Sequence, residues 1–281
     1  MRGLKTPVWR YVVICGAALV STGALESRRS REGGQESRAH EIARKVQDRD
    51  TGRDSRVSMR MTLVDRRGRE RQRALTIKGL RGGPGRAAPG DRTLLHFTLP
   101  NDIRGTGFLV WEHANADDER FLYLPSLGRV RRIAGSEAQE SFVGSDFTYE
   151  DIGGRELEDY TYALLAENET FTAPDGSAHQ VWRLESRSRK PDARYPRVVS
   201  LIRKDRFIVV QADIYNRRNE KQKSFLAKKI EKLDGYWTVT AMTMADAGEG
   251  TRTDLVVEKA EYDVGLTPDD FSRVQLERGA R

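Results

Sequence analysis

Gly105-Thr106-Gly107-Phe108-Leu109-Val110-Trp111, Phe121-Leu122-Tyr123-Leu124-Pro125 and Ser141-Phe142-Val143-Gly144-Ser145-Asp146-Phe147-Thr148-Tyr149-Glu150-Asp151 decide how this chain is read. The first two stretches place large apolar side chains on short extended runs. The third follows them with an acidic, aromatic loop. A sheet with one solvated face alternates apolar and polar residues. Here Phe108, Leu109, Val110 and Trp111 are consecutive, and Leu94 and Leu95 are followed closely by Phe97. Such continuity predicts strands covered on both faces, one of them by helices or by a ligand.

Outward from this centre the chain keeps an extended pattern. Val57, Met59, Met61 and Leu63 alternate with polar residues, residues 65–69 make a turn, and residues 73–80 return. Residues 93–99, 106–113 and 120–124 read as three further strands. Residues 142–169 combine Gly-Ser-Asp turn chemistry with an apolar run, predicting a short helix and then a strand. Residues 181–186, 198–203, 207–215, 223–233, 236–245 and 251–262 complete the set, and Asp234-Gly235 is a strong hairpin signal. About ten hairpin-connected strands with few helices predict a mainly β protein: one curved antiparallel sheet forming an incomplete barrel. No βαβ alternation is present, which argues against a parallel sheet.

The N-terminus has another character. Arg2, Lys5 and Arg10 precede an apolar run over residues 11–20, and Thr22-Gly23-Ala24 offers a small-residue cleavage site. Residues 1–24 are therefore expected to be a secretory signal peptide that exports the protein from the cytoplasm. The lone cysteine, Cys15, lies inside that run, so the exported chain would have no thiol chemistry. Residues 25–38 are polar and Arg/Ser/Gly-rich and are expected to be a disordered linker. Residues 39–281 then form a single domain, opening with a short amphipathic helix over residues 40–50 that groups Ile42, Ala43 and Val46.

Charge is abundant but balanced. The chain holds 49 Lys/Arg against 42 Asp/Glu, for a net +7. Residues 1–38 carry seven Lys/Arg and three Glu, so residues 39–281 keep only +3. Nucleic-acid binding asks for a concentrated basic stripe with stacking aromatics. The clusters Arg129-Arg131-Arg132 and Arg217-Arg218 read instead as solvated strand ends and turns, with anionic lipid headgroups as the alternative contact.

Catalytic chemistry finds little support. Asp146, Glu150 and Asp151 could be paired carboxylates, but Asp and Ser beside Gly more often form turns and helix caps. Their expected job is to fix the loop that carries Phe147 and Tyr149, with Arg131 or Arg132 as ionic partners. Ser145 lies in Gly-Ser-Asp and not in a nucleophile elbow. His40, His96, His113 and His179 are scattered singly, without the spacing of a zinc site. The reading is a non-enzymatic protein with no metal and no cofactor.

In Arg56-Val57-Ser58-Met59-Arg60-Met61-Thr62-Leu63, Gly105-Thr106-Gly107-Phe108-Leu109, Phe121-Leu122-Tyr123-Leu124-Pro125, the segment from Phe142 to Asp151, Gly235-Tyr236-Trp237 and the closing Tyr262-Asp263-Val264-Gly265-Leu266, the chain resembles the LolA-like family of outer-membrane lipoprotein-sorting proteins. It is most similar to the uncharacterised periplasmic branch of that family, over roughly residues 40–278. The resemblance implies a LolA/LolB-like half-barrel whose concave side is capped by short helices around an apolar cavity for acyl chains. It also implies lipid or lipoprotein acyl chains as cargo and a possible inner-membrane partner of the resistance-nodulation-division (RND) type. Leu95, Phe97, Leu109, Trp111, Leu122 and Leu124 are the residues expected to line the lipid-binding cavity. Each buried methylene contributes about 0.8 kcal/mol, so about ten of them supply on the order of 8 kcal/mol before ordering costs. The alternative is a protein-binding accessory subunit of an RND-type exporter, with the sheet as a docking surface.

Overall fold

The computed structural model describes residues 26–279 except 84–85, 114–116, 134 and 154–156, with the side chains of 26–36, 135 and 136 also outside the description. The expected signal peptide and Cys15 lie outside the described residues.

Helix α1 (Glu26–Gln47) leads into thirteen strands. They are β1 (Asp54–Val64), β2 (Glu70–Leu80), β3 (Arg92–Leu99), β4 (Gly107–Trp111), β5 (Glu119–Leu124), β6 (Arg129–Ile133), β7 (Tyr160–Thr172), β8 (Ala178–Ser188), β9 (Arg197–Arg203), β10 (Ile208–Tyr215), β11 (Lys221–Leu233), β12 (Tyr236–Asp246) and β13 (Thr251–Tyr262). Two short helices complete the set, α2 (Tyr149–Gly153) between β6 and β7, and α3 (Arg273–Arg278) after β13.

All thirteen strands belong to one sheet, in the order β6-β5-β4-β3-β2-β1-β13-β12-β11-β10-β9-β8-β7. The chain starts in the middle at β1 and meanders outward to the edge strand β6. It then crosses to the opposite edge, β7, through residues 134–159, and meanders back to the middle, where β13 pairs antiparallel with β1. Asp234 and Gly235 both take positive φ (47° and 90°) between β11 and β12, the geometry that a two-residue hairpin needs and that Asp-Gly supplies.

A flat sheet of thirteen strands would be roughly 60 Å wide at about 4.8 Å per strand. One hydrophobic cluster nevertheless joins Leu122 and Ile133 near one edge to Tyr160, Tyr162 and Leu184 near the other. The sheet therefore curls, and the face bearing this cluster is its inner face. The two edges do not pair with each other, so the barrel stays open.

Helix α1 lies over this inner face near β7. Ala39, Ile42, Ala43 and Val46 are all buried, the spacing of one helical stripe. The amphipathic reading of this region holds, but the helix begins at Glu26, so residues 26–38 are helical where a linker was expected. Those residues lack an apolar stripe, which is why composition alone suggested a linker; the helix runs back from its packed last turns, where each further residue satisfies a backbone hydrogen bond.

The expectation of about ten strands is low. Arg129, Arg131 and Arg132 dominate edge strand β6, which is why its sequence reads as solvated strand ends and turns. It pairs with β5 over five residues, and its guanidinium groups charge the open edge, a common means of discouraging edge-to-edge association.

Candidate functional site

Cross-strand register sorts the central strands onto two faces. Leu95 opposes Phe108, which opposes Leu122, and these belong to the inner cluster. Leu94 opposes Leu109, which opposes Phe121, and these belong to a second cluster with Leu266, Phe271 and Leu276. The prediction that both faces are covered is met, by two different parts of the chain.

The crossing segment covers the inner face. Phe142 is fully buried and stacks on Phe97 at 5.8 Å between ring centroids. It lies 5.5 Å from Phe108 and 5.3 Å from Tyr149, and Tyr149 lies 5.2 Å from Phe108. Contacts of this kind contribute about 0.5–1.5 kcal/mol each beyond their burial. The segment is thus an aromatic plug. Its turn requires Val143 at φ 48°, ψ 38°, a conformation that is sterically poor for a β-branched side chain, followed by Gly144 at φ 73°. The Arg73 guanidinium holds this turn: Nη1 donates to the Val143 carbonyl at 2.6 Å while the group lies 5.7 Å from the Phe97 ring centre.

Asp146 latches the plug to the far half of the sheet. Its carboxylate accepts hydrogen bonds from the hydroxyls of Thr251 and Thr253, the latter at 2.6 Å. Its N–H donates to Thr253 Oγ1 at 3.0 Å, and its carbonyl accepts from buried Lys223 Nζ at 2.6 Å. Thr148 and Asp151 start α2 reciprocally: Thr148 N–H donates to Asp151 Oδ2 and Asp151 N–H to Thr148 Oγ1, both at 2.9 Å. Asp146 and Asp151 thus occupy structural positions, and Phe147 is buried beneath them. Glu150 is half-buried. Arg131, one of the two arginines expected to pair with this loop, donates from Nη1 to Glu137 at 2.7 Å. Asp146→Ala removes the carboxylate acceptor from the buried Thr253 hydroxyl and the partly buried Thr251 hydroxyl and is expected to lower unfolding free energy by about 2–3 kcal/mol in urea titrations. An unchanged midpoint would show that the latch does not hold the plug.

The six residues expected to share one cavity are divided. Leu95, Phe97 and Leu122 lie on the inner face, each no more than 3% exposed, with Leu124 packed partly buried against the same cluster. The plug fills the space over them. Leu109 and Trp111 point the other way, because they alternate with Phe108 and Val110 along β4. Trp111 donates from Nε1 to the Phe271 carbonyl at 2.7 Å and packs edge-on to Phe121 at 5.1 Å. It anchors the C-terminal segment rather than lining the inner face.

That segment also seats α3. Gly107 lets it approach: a Cβ there would fall 2.6 Å from Leu276 Cδ1. His96 Nε2 lies 2.9 Å from the Leu276 carbonyl. Burial, with a smaller contribution from Lys78, holds the His96 pKa below its ordinary value, although the carbonyl contact opposes this. The unfolded chain then binds the proton more readily. The contribution is fully present above about pH 6.5 and is lost as pH falls through and below that value. His96→Gln is expected to flatten the decline of the melting temperature between pH 7.5 and 5.5. An identical slope in wild type and variant would remove His96 from the pH response.

The methionines are not among the residues expected to line the cavity, although Met59 and Met61 stand in the alternation of β1. Met59, Met61, Met242 and Met244 are every methionine after Met1, and all four lie in the inner cluster. Met61 and Met242 flank Leu255 in register across β1, β13 and β12. Period-two alternation on β1 and β12 carried the signal, but the pairing of these strands through β13 did not show in the sequence. Lys223 also left a trace, as a charge on the face otherwise occupied by Phe225 and Ala227.

The geometry defines an open β half-barrel with a covered apolar interior. The pattern of a family described as an uncharacterized protein matches residues 89–278. A DUF1329 family protein from Desulfovibrio piger is 31% identical, with a TM-score of 0.78, over 86% of this chain and 99% of that one. A putative outer membrane lipoprotein-sorting protein domain from Vibrio parahaemolyticus is 30% identical, with a TM-score of 0.77, over 86% of this chain and 100% of that one. A LolA superfamily protein from Nitrosomonas europaea shares the fold at 17% identity and a TM-score of 0.61, over 87% of this chain and 98% of that one. No curated protein matches. The chain belongs to the DUF1329 family, and its fold is LolA-like.

Proposed function

We propose that the protein is a periplasmic carrier that shelters the acyl chains of a lipid or lipoprotein against the inner face of its sheet. The observation that carries this reading is the placement of all four internal methionines on that face. Methionine is unbranched and polarizable, so a methionine-bearing surface repacks around chains of varied shape at little cost. The LolA-like fold and the lipoprotein-sorting description of a 30% identical relative support the same conclusion.

Because Phe142 and Tyr149 cover this face, cargo enters by displacing the plug. The plug suits that role: it carries a strained turn at Val143 and is held by polar contacts at Arg73 and Asp146. Polar latches can be exchanged for water when the segment lifts, whereas a fully apolar seal could not. An acyl chain then occupies the space vacated by the rings. Release follows transfer to a partner of higher affinity and requires no cofactor. Native mass spectrometry of protein purified without detergent tests the reading. Co-purified lipid, or uptake of a fluorescent diacyl lipid, is expected. The absence of both would overturn it.

A further inference from the structure

Two hydroxyl groups interrupt the apolar inner face where nothing in the fold uses them. Ser186 on β8 and Ser200 on β9 are 1% and 0% exposed, and neither Oγ has a hydrogen-bond partner among the described residues. Both point inward: Ser186 opposes Val198 and Ser200 opposes Leu184, and Val198 and Leu184 belong to the inner cluster. The two serines are diagonal neighbours on that face, a spacing at which each can meet a different polar atom of one ligand. A buried hydroxyl without a partner is unfavourable, so such a pair points to an occupant.

A small surface cleft lies next to them along β8. Tyr160, Ser188, Glu150, Lys190, Arg194 and Tyr195 line a narrow cleft where the plug meets the β7–β8 edge. Ser188 opposes Tyr160, and Ser186 opposes Tyr162. Ser186 therefore stands on the same side of β8 as Ser188, one two-residue step of about 7 Å further in. The order from rim to interior is charged cleft, paired hydroxyls, then apolar face.

We propose that Ser186 and Ser200 form the polar subsite of the carrier, donating hydrogen bonds to the ester carbonyl oxygens of a glyceride-type ligand whose chains run onto the inner face. This rests on the carrier reading and specifies the cargo's linkage. The hydroxyls suit an uncharged acceptor. The cations of the cleft and its neighbourhood already have partners: Lys190 Nζ bonds Asp159 at 2.6 Å, Arg194 Nη1 lies 3.7 Å from Glu140 and 3.4 Å from the Gln139 carbonyl, and Lys223 Nζ bonds the Asp146 carbonyl at 2.6 Å. A free fatty acid would have to bury its carboxylate without a counter-ion, which is far more costly than burying an ester. An ether-linked lipid would offer the same chains without the carbonyls.

The test compares binding of didecanoyl glycerol with that of its didecyl ether analogue, by displacement of a fluorescent diacyl lipid, in wild type and in the Ser186→Ala/Ser200→Ala variant. The wild type is expected to prefer the ester by about tenfold, the gain from two neutral hydrogen bonds. In the variant this preference collapses to near unity while ether binding is retained. A melting curve confirms folding, and Ser200→Ala alone replaces the double variant if that variant does not fold. Equal binding of ester and ether by wild type, or an unchanged preference in the variant, overturns the subsite and leaves the carrier standing. Binding of neither lipid overturns both.

Discussion

Phe142→Ala is expected to lower the unfolding free energy by about 3–5 kcal/mol and at the same time to tighten acyl binding. The first effect follows from deleting a fully buried ring that contacts Phe97, Phe108 and Tyr149, leaving a cavity that strands of one sheet cannot close. The second follows from competition, since the plug and the acyl chain claim the same face. Removing part of the plug removes part of what the ligand must displace. Urea unfolding gives the first quantity and fluorescent-lipid titration the second. A folded variant that binds lipid more weakly would make Phe142 part of the lipid site and not its competitor.

Trp111→Glu should act through the opposite face. The substitution deletes the bond from Nε1 to the Phe271 carbonyl and the packing on Phe121, and removes the ring that lies 5.2 Å from the Arg92 and 5.7 Å from the Arg273 guanidinium centres. Loss of about 3 kcal/mol is expected, as for other truncations of large aromatic anchors. The C-terminal segment should detach and become sensitive to trypsin at Arg273 and Arg278. Acyl binding should survive, because the inner face is untouched. Loss of lipid uptake with the C-terminus still protected would return Trp111 to the cargo site.

These two variants also mark how far the sequence could be read. Strand identities were legible wherever period two met clear turn chemistry, as in β1 and at Asp234-Gly235. The family resemblance carried the half-barrel, and the matched family and fold agree with it. Which residues share a face was less accessible. Leu95 and Phe97 must lie together, and so must Leu109 and Trp111, because each pair is two residues apart on one strand. How the first pair relates to the second depends on the register across the turn between β3 and β4, and a one-residue slip there inverts the answer. The expectation of one cavity holding all four assumes the slipped register; the observed one separates the two pairs.

The plug illustrates a second limit. Its turn-forming residues are evident in Gly-Ser-Asp, but the groups that hold it are far along the chain. Thr253 is 107 residues from Asp146, and Arg73 is 70 residues from Val143. Nothing local announces such contacts. The β6 edge strand was hidden by its own arginines, and the early part of α1 by the absence of an apolar stripe.

The central claim is that cargo chains lie on the inner face once the plug has moved. The four internal methionines are probes already in place. Protein labelled with ¹³C at the methionine methyls, titrated with a deuterium-free diacyl lipid in detergent-free buffer, should show nuclear Overhauser contacts from acyl methylenes to Met59, Met61, Met242 and Met244. Lipid that binds while all four methyl signals stay unshifted and free of such contacts would place the cargo elsewhere and contradict the account.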